Sequence, residues 1–395
     1  MIEHPGILQP GSVIGLLGGG QLARMLVLAG HPLGFKFMVL DPDLEAPAAQ
    51  VGAEHLPYSF TDKNALGELT KQCDLVSYEF ENVDADSVEW MEQRVDLPQG
   101  SQMLRTAQHR LREKRAIRDL GIEVTGFHEV RNLKQLEQAF EAFGTVLLKT
   151  VTGGYDGKGQ QRILKKSECK SAFESLHQEG TSLIAEQFQP FERELSVVVA
   201  RSRSGEIRCF PVSENLHRQN ILTICRIPAR ISGLVEKEAN RISACLAEGL
   251  GLVGVMGVEM FLLPDGSLLV NEIAPRPHNS GHFTMDSCET SQFQQHLLAV
   301  SGWPLGPTHI MKPALMLNLI GDQQDKLLQN LKLLPEGAKL HLYGKKEVRP
   351  GRKMGHLNLS MEKPSELLET LIKLQVWEQD SLERMLNCFI FCRAC

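Results

Sequence analysis

The sequence of 395 residues contains no run of about 18 apolar residues, so we expect no membrane-spanning helix. Its first segment has no basic stretch leading into an apolar one, so no secretion signal is expected. Basic residues are not in excess, because 42 Lys and Arg stand against 48 Asp and Glu. The net charge of −6 disfavours broad nucleic-acid binding. The nine cysteines are an odd number scattered along the chain, which argues against a disulfide framework and predicts a cytoplasmic protein.

The chain opens with a strand–glycine–helix–strand pattern. An apolar run at 12–17 meets Gly18–Gly20, a helical segment begins at Gln21, and a second apolar run ends at Asp41. This pattern predicts a parallel α/β domain of about 100 residues, with ligand-facing side chains at the carboxyl ends of its strands. The glycines and Asp41 also fit a dinucleotide fingerprint, which keeps an NAD-dependent dehydrogenase as an alternative to a tight turn that binds no dinucleotide.

A glycine-rich segment, KTVTGGYDGKGQ, runs from Lys149 to Gln160 after a predicted strand. Glycines let backbone N–H groups approach phosphate closely, and the two lysines offset its charge. The segment is not a P-loop, because Lys158 is followed by Gly159 and the Mg²⁺-binding hydroxyl is missing. We therefore predict a flap over ATP, and the alternative is a mobile surface loop.

A hairpin is predicted around Pro264–Gly266, a strong turn sequence. One register places Glu259 opposite Glu272, and the other places Glu259 opposite Asn271. Two acids that face each other are destabilising unless a cation lies between them, so the hairpin predicts a Mg²⁺ site.

Several polar clusters are less specific. Residues 102–120 are helical in composition, with Arg110 and Lys114 on one face, and residues 365–385 look helical as well.

The cysteines Cys388, Cys392 and Cys395 are spaced like iron–sulfur ligands, but they occupy the last eight residues, and we expect an incidental tail.

Taken together, five segments resemble the ATP-grasp superfamily and, within it, the family of N5-carboxyaminoimidazole ribonucleotide synthetases. The segments are GGGQLARM, KTVTGGYDGKGQ, EQF(x)₅E, NEIAPRPHNSGH and EVRPGRKMGH. The resemblance implies a fold of α/β and α+β class. It has an N-terminal parallel α/β (pre-ATP-grasp) domain over 1–100, a two-lobed ATP-grasp domain over 101–303 and a small β-rich C-terminal domain with a helical tail over 304–395.

The resemblance also implies the residues of the site. The ATP-binding positions are Arg110, Lys149, Gly154, Tyr155, Asp156, Gly157, Lys158, Gly159, Gln160, Glu186, Gln187, Phe188, Gln189, Glu194, His217, Asn271 and Glu272. The magnesium ligands are Glu259 and Glu272, with Mn²⁺ as an alternative ion. The substrate positions are Gln21, Leu22, Glu79, Arg276, His278, Asn279, Lys345, Arg352 and Lys353. The catalytic positions are Tyr155, Asp156, Arg276, His278 and Lys345.

The implied reaction joins bicarbonate to 5-aminoimidazole ribonucleotide at the expense of ATP, through carboxyphosphate, in purine biosynthesis. We expect Arg276 and His278 to hold bicarbonate, Asp156 to handle the amine proton beside Tyr155, and Arg352 with Lys353 to bind the 5′-phosphate. The implied partners are small molecules and a second copy of the chain in a homodimer. The alternatives are another ATP-grasp ligase (a formate-dependent glycinamide ribonucleotide transformylase or a biotin carboxylase), the dehydrogenase, and a non-catalytic nucleotide sensor.

Overall fold

The computed structural model describes residues 6–153 and 159–386. The N-terminal domain is a four-stranded parallel sheet of order β3-β2-β1-β4. Its strands are β1 (Val13–Leu17), β2 (Lys36–Leu40), β3 (Glu54–Leu56) and β4 (Leu75–Tyr78). Its helices are α1 (Gln21–Gly30), α2 (Lys63–Gln72) and α3 (Ala85–Glu92). Leu17 lies beside both Leu40 and Tyr78, so the carboxyl ends of three strands meet at one edge.

Two short helices connect this domain to the next, α4 (Ser101–Ala107) and α5 (Arg110–Asp119). The prediction of one helix over 102–120 is wrong because the chain breaks at Gln108 and His109. The Gln108 amide donates to the carbonyls of Glu81 at 2.7 Å and Val83 at 2.6 Å, a tertiary contact that local composition does not reveal.

The first ATP-grasp lobe is a four-stranded antiparallel sheet of order β5-β8-β6-β7. Its strands are β5 (Phe127–Val130), β6 (Val146–Thr150), β7 (Gln160–Ile163) and β8 (Leu183–Gln187). Helices α6 (Leu133–Phe143) and α7 (Cys169–Leu176) pack on it around a core that contains Leu136, Val146 and Ala172.

The remaining strands form one nine-stranded sheet of order β14-β13-β9-β11-β12-β15-β17-β16, with β10 paired to β9. The strands are β9 (Arg193–Arg201), β10 (Ile207–Cys209), β11 (Ser213–Arg218), β12 (Ile221–Ile227), β13 (Gly254–Leu262), β14 (Leu268–Ala274), β15 (Ala314–Ile320), β16 (Lys339–Leu342) and β17 (Lys353–Ser360). Because β12 pairs with β15, the sheet continues from the second predicted ATP-grasp lobe into the C-terminal strands. The domain boundary predicted between residues 303 and 304 therefore does not divide the sheet.

Six helices surround the large sheet. They are α8 (Gly233–Gly249), α9 (Thr284–Ser287), α10 (Gln292–Val300), α11 (Gln323–Gln329), α12 (Pro364–Leu374) and α13 (Gln379–Leu386). The segment predicted as one helix over 365–385 is therefore two, and Gln375, which follows α12, adopts a left-handed backbone conformation. The parallel N-terminal sheet and the antiparallel sheets that follow it confirm the predicted α/β and α+β fold class. Among the described residues, no helix combines the length and apolar character needed to cross a membrane.

Candidate active site

Two carboxylates meet on the hairpin formed by β13 and β14. Near the turn, the Leu263 N–H donates to the Ser267 carbonyl at 2.9 Å. This pairing belongs to the register that would place Glu259 opposite Asn271. A β-bulge then shifts the register, so that Glu259 lies directly opposite Glu272 as in the first. Asn271 has no partner in the pairing and supplies the extra residue. Both predicted registers therefore occur, in different parts of one hairpin.

The environment of this pair suits a cation. Burial, reinforced by the neighbouring Glu272, raises the pKa of Glu259 to about 7. Glu259 Oε1 lies 3.4 Å from His278 Nε2, so this carboxylate also borders the segment that follows β14. Facing carboxylates repel each other unless a positive charge separates them, and their oxygens are the ligand type that Mg²⁺ prefers.

A cluster of buried charges lies where α5 meets β6 and β8. Lys149 Nζ is 2.8 Å from Glu186 Oε2, and Lys114 Nζ is 3.5 Å from Glu186 Oε1. Lys114 also donates to the Asn271 carbonyl at 3.1 Å, which links this cluster to the carboxylate hairpin. Burial alone would raise the pKa of Glu186, but the two lysines lower it below its usual range. The cluster therefore holds an ionised carboxylate between two ammonium groups.

The base of the glycine-rich flap is held from both sides. Arg110 Nη1 donates to the carbonyls of Thr150 at 2.8 Å and Gly153 at 2.6 Å. On the returning side, the Gly159 carbonyl accepts from the Thr150 N–H at 3.0 Å, and Gln160 pairs with Lys149. Arg110 thus contacts the flap backbone at the point where the flap leaves β6. The other predicted flap residues, Gly154, Tyr155, Asp156, Gly157 and Lys158, lie outside the described residues.

The residues that follow Glu186 lead from the first lobe to the second. The Gln189 amide donates to Gln187 Oε1 at 3.1 Å, and the Arg162 guanidinium lies 3.7 Å from the centre of the Phe188 ring. The Phe188 N–H donates to the Thr145 carbonyl at 3.0 Å. These contacts fix the connecting segment between β8 and β9 along the wall predicted to bind adenine and ribose.

Glu194 on β9 and His217 on β11 form a close pair, with 2.5 Å between Glu194 Oε2 and His217 Nδ1. Burial alone would lower the pKa of His217, but the hydrogen bond to Glu194 and the charges of Glu194, Glu259 and Glu272 together outweigh burial and raise the pKa. The carboxylates of the hairpin therefore favour the protonated form of His217.

At the carboxyl edge of the parallel sheet, the chain's own carboxylates bind the glycine turn. The Gly19 N–H donates to Asp41 Oδ2 at 2.7 Å, and the Gly20 N–H donates to Glu79 Oε1 at 3.1 Å. Gly18 has a φ of +99°, and a Cβ there would lie 2.6 Å from Glu79 Oε1. A dinucleotide pyrophosphate needs such N–H groups for itself, so this geometry argues against the dehydrogenase.

Two predicted substrate residues open helix α1 beside this turn. Gln21 is half-buried, whereas Leu22 is only 7% exposed and belongs to the apolar core under the helix. The structure therefore gives the Leu22 side chain a packing role.

The segment after β14 carries the predicted bicarbonate residues. Arg276 forms a two-pronged ion pair with Glu81, in which Nη2 lies 2.7 Å from Oε1. His278 is buried, and its Nδ1 lies 2.8 Å from Ser280 Oγ. Burial, together with the charge of Arg276, lowers the pKa of His278 well below 6.5, so this imidazole is neutral.

The Asn279 side chain differs from its neighbours because no hydrogen-bond partner for it lies among the described residues. Its amide nitrogen and its amide oxygen are both buried, and neither has a hydrogen-bond partner among the described residues. Because buried polar atoms are almost always paired, an unpaired amide beside Arg276 and His278 fits a ligand contact.

The basic loop before β17 approaches the glycine turn. Lys345 Nζ donates to the Lys353 carbonyl at 2.9 Å, and Arg352 Nη1 donates to the Glu347 carbonyl at 3.0 Å. Burial and the charge of Arg352 lower the pKa of Lys345 to about 8. The Gln50 amide donates to the Gly344 carbonyl at 2.9 Å and so ties this loop to the N-terminal domain.

Three residues of the site were missed by sequence reasoning. The sequence places Lys114 on one face of a helix without indicating a role for it, and it indicates no role for Glu81 or Glu113. Glu113 is buried, accepts from the Ile273 N–H at 2.6 Å, and has its pKa raised by burial to about 8. Their partners Glu186, Ile273 and Arg276 lie 72 to 195 positions away in the chain, so no local pattern marks these contacts.

Comparisons with known families cover most of the chain. The ribonucleotide synthetase preATP-grasp domain matches residues 12–108, the ATP-grasp domain matches 115–293, and the phosphoribosylaminoimidazole carboxylase C-terminal domain matches 314–370.

Among curated proteins, an N5-carboxyaminoimidazole ribonucleotide synthase of Bacillus subtilis is 43% identical over 366 residues, covering 92% of this chain and 96% of that protein. A solved structure of an ADP complex of an N5-carboxyaminoimidazole ribonucleotide synthetase is 43% identical, with a TM-score of 0.90, over 95% of this chain and 99% of that one. The Aspergillus clavatus synthase in complex with ADP and 5-aminoimidazole ribonucleotide is 32% identical, with a TM-score of 0.87, over 95% of this chain and 100% of that one.

Proposed function

This chain belongs to the family of N5-carboxyaminoimidazole ribonucleotide synthetases, and from this we infer that it catalyses the ATP-dependent carboxylation of 5-aminoimidazole ribonucleotide in purine biosynthesis. It is an ATP-grasp ligase, and it binds ATP and small-molecule substrates. We propose bicarbonate as the carboxyl donor and carboxyphosphate as the activated form.

The strongest support for this assignment is the position of Glu259. Glu259 faces Glu272 on one side and lies 3.4 Å from His278 on the other. The proposed metal pair of the ATP half and the proposed bicarbonate residues therefore meet at a single carboxylate. A phosphoryl group that leaves ATP beside Glu259 would be within reach of an acceptor held by Arg276 and His278.

We assign the phosphate-binding residues by charge. Lys149 and Arg110 line the entrance to the flap and would offset charge on the transferred phosphate. Mg²⁺, or Mn²⁺ in its place, would be held by Glu259 and Glu272, and it would supply charge neutralisation to the phosphates when bound. Glu186, Gln187 and Glu194, with His217, would border adenine and ribose.

The substrate half uses neutral and cationic groups. Neutral His278 can donate or accept a hydrogen bond, and Arg276 supplies a fixed charge, so together they suit an anion such as bicarbonate. Glu79 and Asn279 would bind the ribonucleotide, and Lys345, Arg352 and Lys353 its 5′-phosphate. Asp156 stays assigned to the amine proton and Tyr155 to the shape of the pocket. A homodimeric assembly and a cytoplasmic location complete the proposal.

The test is an ADP-release assay with bicarbonate, run with and without 5-aminoimidazole ribonucleotide. The wild-type protein should release ADP fastest with both present. Glu272→Gln should lose this activity because a charged ligand is removed, whereas the control Glu248→Gln changes an exposed residue of helix α8 and should not. Normal turnover by a folded Glu272→Gln protein would refute the metal assignment, and ribonucleotide-independent ADP release would refute the proposed substrate.

A further inference from the structure

A buried glutamine outside the predicted site holds the backbone of His278. Gln292, at the start of helix α10, is 0% exposed. Its Oε1 accepts from the His278 N–H at 2.8 Å, and its Nε2 donates to the His278 carbonyl at 2.7 Å. This pair of hydrogen bonds is the one that a neighbouring antiparallel strand would make. The amide therefore fixes the His278 backbone, which pairs with no strand among the described residues.

A second glutamine makes the same pair of bonds at the other half of the substrate site. Gln99 Oε1 accepts from the Tyr78 N–H at 3.0 Å, and Gln99 Nε2 donates to the Tyr78 carbonyl at 3.2 Å. The same Nε2 lies 3.2 Å from the Pro275 carbonyl. Tyr78 immediately precedes Glu79, and Pro275 immediately precedes Arg276. Gln99 thus joins the end of β4 to the beginning of the segment that Gln292 holds at its other end.

We propose that Gln99 and Gln292 are positioning residues for the carboxylation, because together they form hydrogen bonds to both ends of the segment Pro275–His278 and align it with Glu79. The inference depends on the proposed function of this segment. The room for movement is small, since a Cβ on Gly257 would lie 2.6 Å from the His278 ring. A backbone held this closely keeps Arg276 and His278 in reacting geometry, and a displacement of about 1 Å can cost about 100-fold in rate.

Helix α10 also offers a matched control. Gln295, three residues further on, is likewise 0% exposed. Its Nε2 donates to the Gly306 carbonyl at 3.0 Å, and its Oε1 accepts from the Gly306 N–H at 2.9 Å. Gly306 is not among the residues of the proposed site. Gln295→Met therefore removes two side-chain-to-backbone hydrogen bonds of the same kind as those that Gln292→Met removes from His278, without touching that segment. Gln292→Met also removes the contact of 3.1 Å between Gln292 Nε2 and His282 Nδ1.

We expect both Met variants to lose similar thermal stability. Only Gln292→Met should lose about 100-fold in kcat/KM for 5-aminoimidazole ribonucleotide, with the KM for ATP within about twofold of wild type. Equal losses of kcat/KM in the two variants, or a wild-type value in Gln292→Met, would overturn the proposal. Absence of ribonucleotide-dependent ADP release in the wild-type protein would instead overturn the proposed function.

Gln292→Glu provides a second readout that also serves if the Met variant does not fold. A neutral carboxyl offers one acceptor to the His278 N–H and one donor to the His278 carbonyl, although it lacks the second donor of the amide, whereas an ionised carboxylate repels the His278 carbonyl. The titratable groups that face Gln292 are His278 and His282, and burial lowers the pKa of both well below 6.5. The activity of Gln292→Glu relative to wild type should therefore rise as pH falls from about 8 to about 6. A ratio that stays constant with pH would refute the positioning role.

Discussion

Replacing Glu79 with glutamine should stabilise the protein while it damages the substrate site. The Glu79 carboxyl is 6% exposed, and its Oε1 accepts from the Gly20 N–H at 3.1 Å. Burial raises its pKa from 4.5 to about 7. Glutamine keeps the shape and the acceptor oxygen, and it carries no charge at any pH.

The sign and size of the effect follow from proton linkage. The folded protein holds the Glu79 proton more tightly than the unfolded chain, so wild-type stability falls as pH rises from 4.5 through about 7. Glu79→Gln lacks this loss. At about 1.4 kcal/mol for each pH unit, its free energy of unfolding should exceed that of wild type by about 3 kcal/mol above pH 7, with almost no difference below pH 4.5.

The measurement is denaturant unfolding of the ligand-free wild type and Glu79→Gln at about pH 5 and about pH 8, with exposed Glu68→Gln as the control. The difference in the free energy of unfolding between Glu79→Gln and wild type should be larger at the higher pH. The corresponding difference for Glu68→Gln should be the same at both pH values. A variant that is no more stable than wild type at the higher pH would refute the idea that Glu79 is a costly buried charge. Although Glu79→Gln should be more stable than wild type, its kcat/KM for 5-aminoimidazole ribonucleotide should be lower than that of wild type.

Three further perturbations test other parts of the site. Gly18→Ala should lose about 1–3 kcal/mol in denaturant unfolding, because φ is +99° and the Cβ would meet Glu79; wild-type stability would contradict this. Lys114→Met leaves Glu186 with one buried ammonium partner and should lower the free energy of unfolding by about 3 kcal/mol in the same assay. Unchanged stability would mean that Lys149 alone compensates the buried Glu186 carboxylate. With its pKa lowered to about 8, Lys345 should make kcat/KM for the ribonucleotide fall above about pH 8, and Lys345→Arg should move that fall to higher pH. An unchanged pH profile would show that another group is titrating.

The sequence predicts those parts of the site that short-range rules control. Strand ends identify Glu79 and Asp41, because side chains after parallel strands meet at one edge of a sheet. The turn at Pro264–Gly266 brings Glu259 and Glu272 together, and only the bulge at Asn271 was needed to choose between the two registers. The specific motifs predicted the family, which the comparisons confirm.

Side-chain contacts between distant segments could not be predicted. The Glu81–Arg276 ion pair joins residues 195 positions apart, and in the sequence nothing marks Glu81 as the partner of Arg276. Gln99 and Gln292 look like polar loop or helix residues until their burial is known. The pairing of β12 with β15 could not be predicted either, because the domain boundary predicted after residue 303 falls between two strands that are neighbours in space.

The continuous nine-stranded sheet has a consequence for where the chain can be divided. Strand β12 is seven residues long, and β15 covers one of its edges. Without the C-terminal strands, that edge would present unpaired N–H and C=O groups in an apolar strand, which is a template for aggregation. The ATP-grasp part therefore depends on the C-terminal strands as a cover for its own sheet, and a chain ended near residue 303 should form insoluble assemblies rather than a smaller folded enzyme.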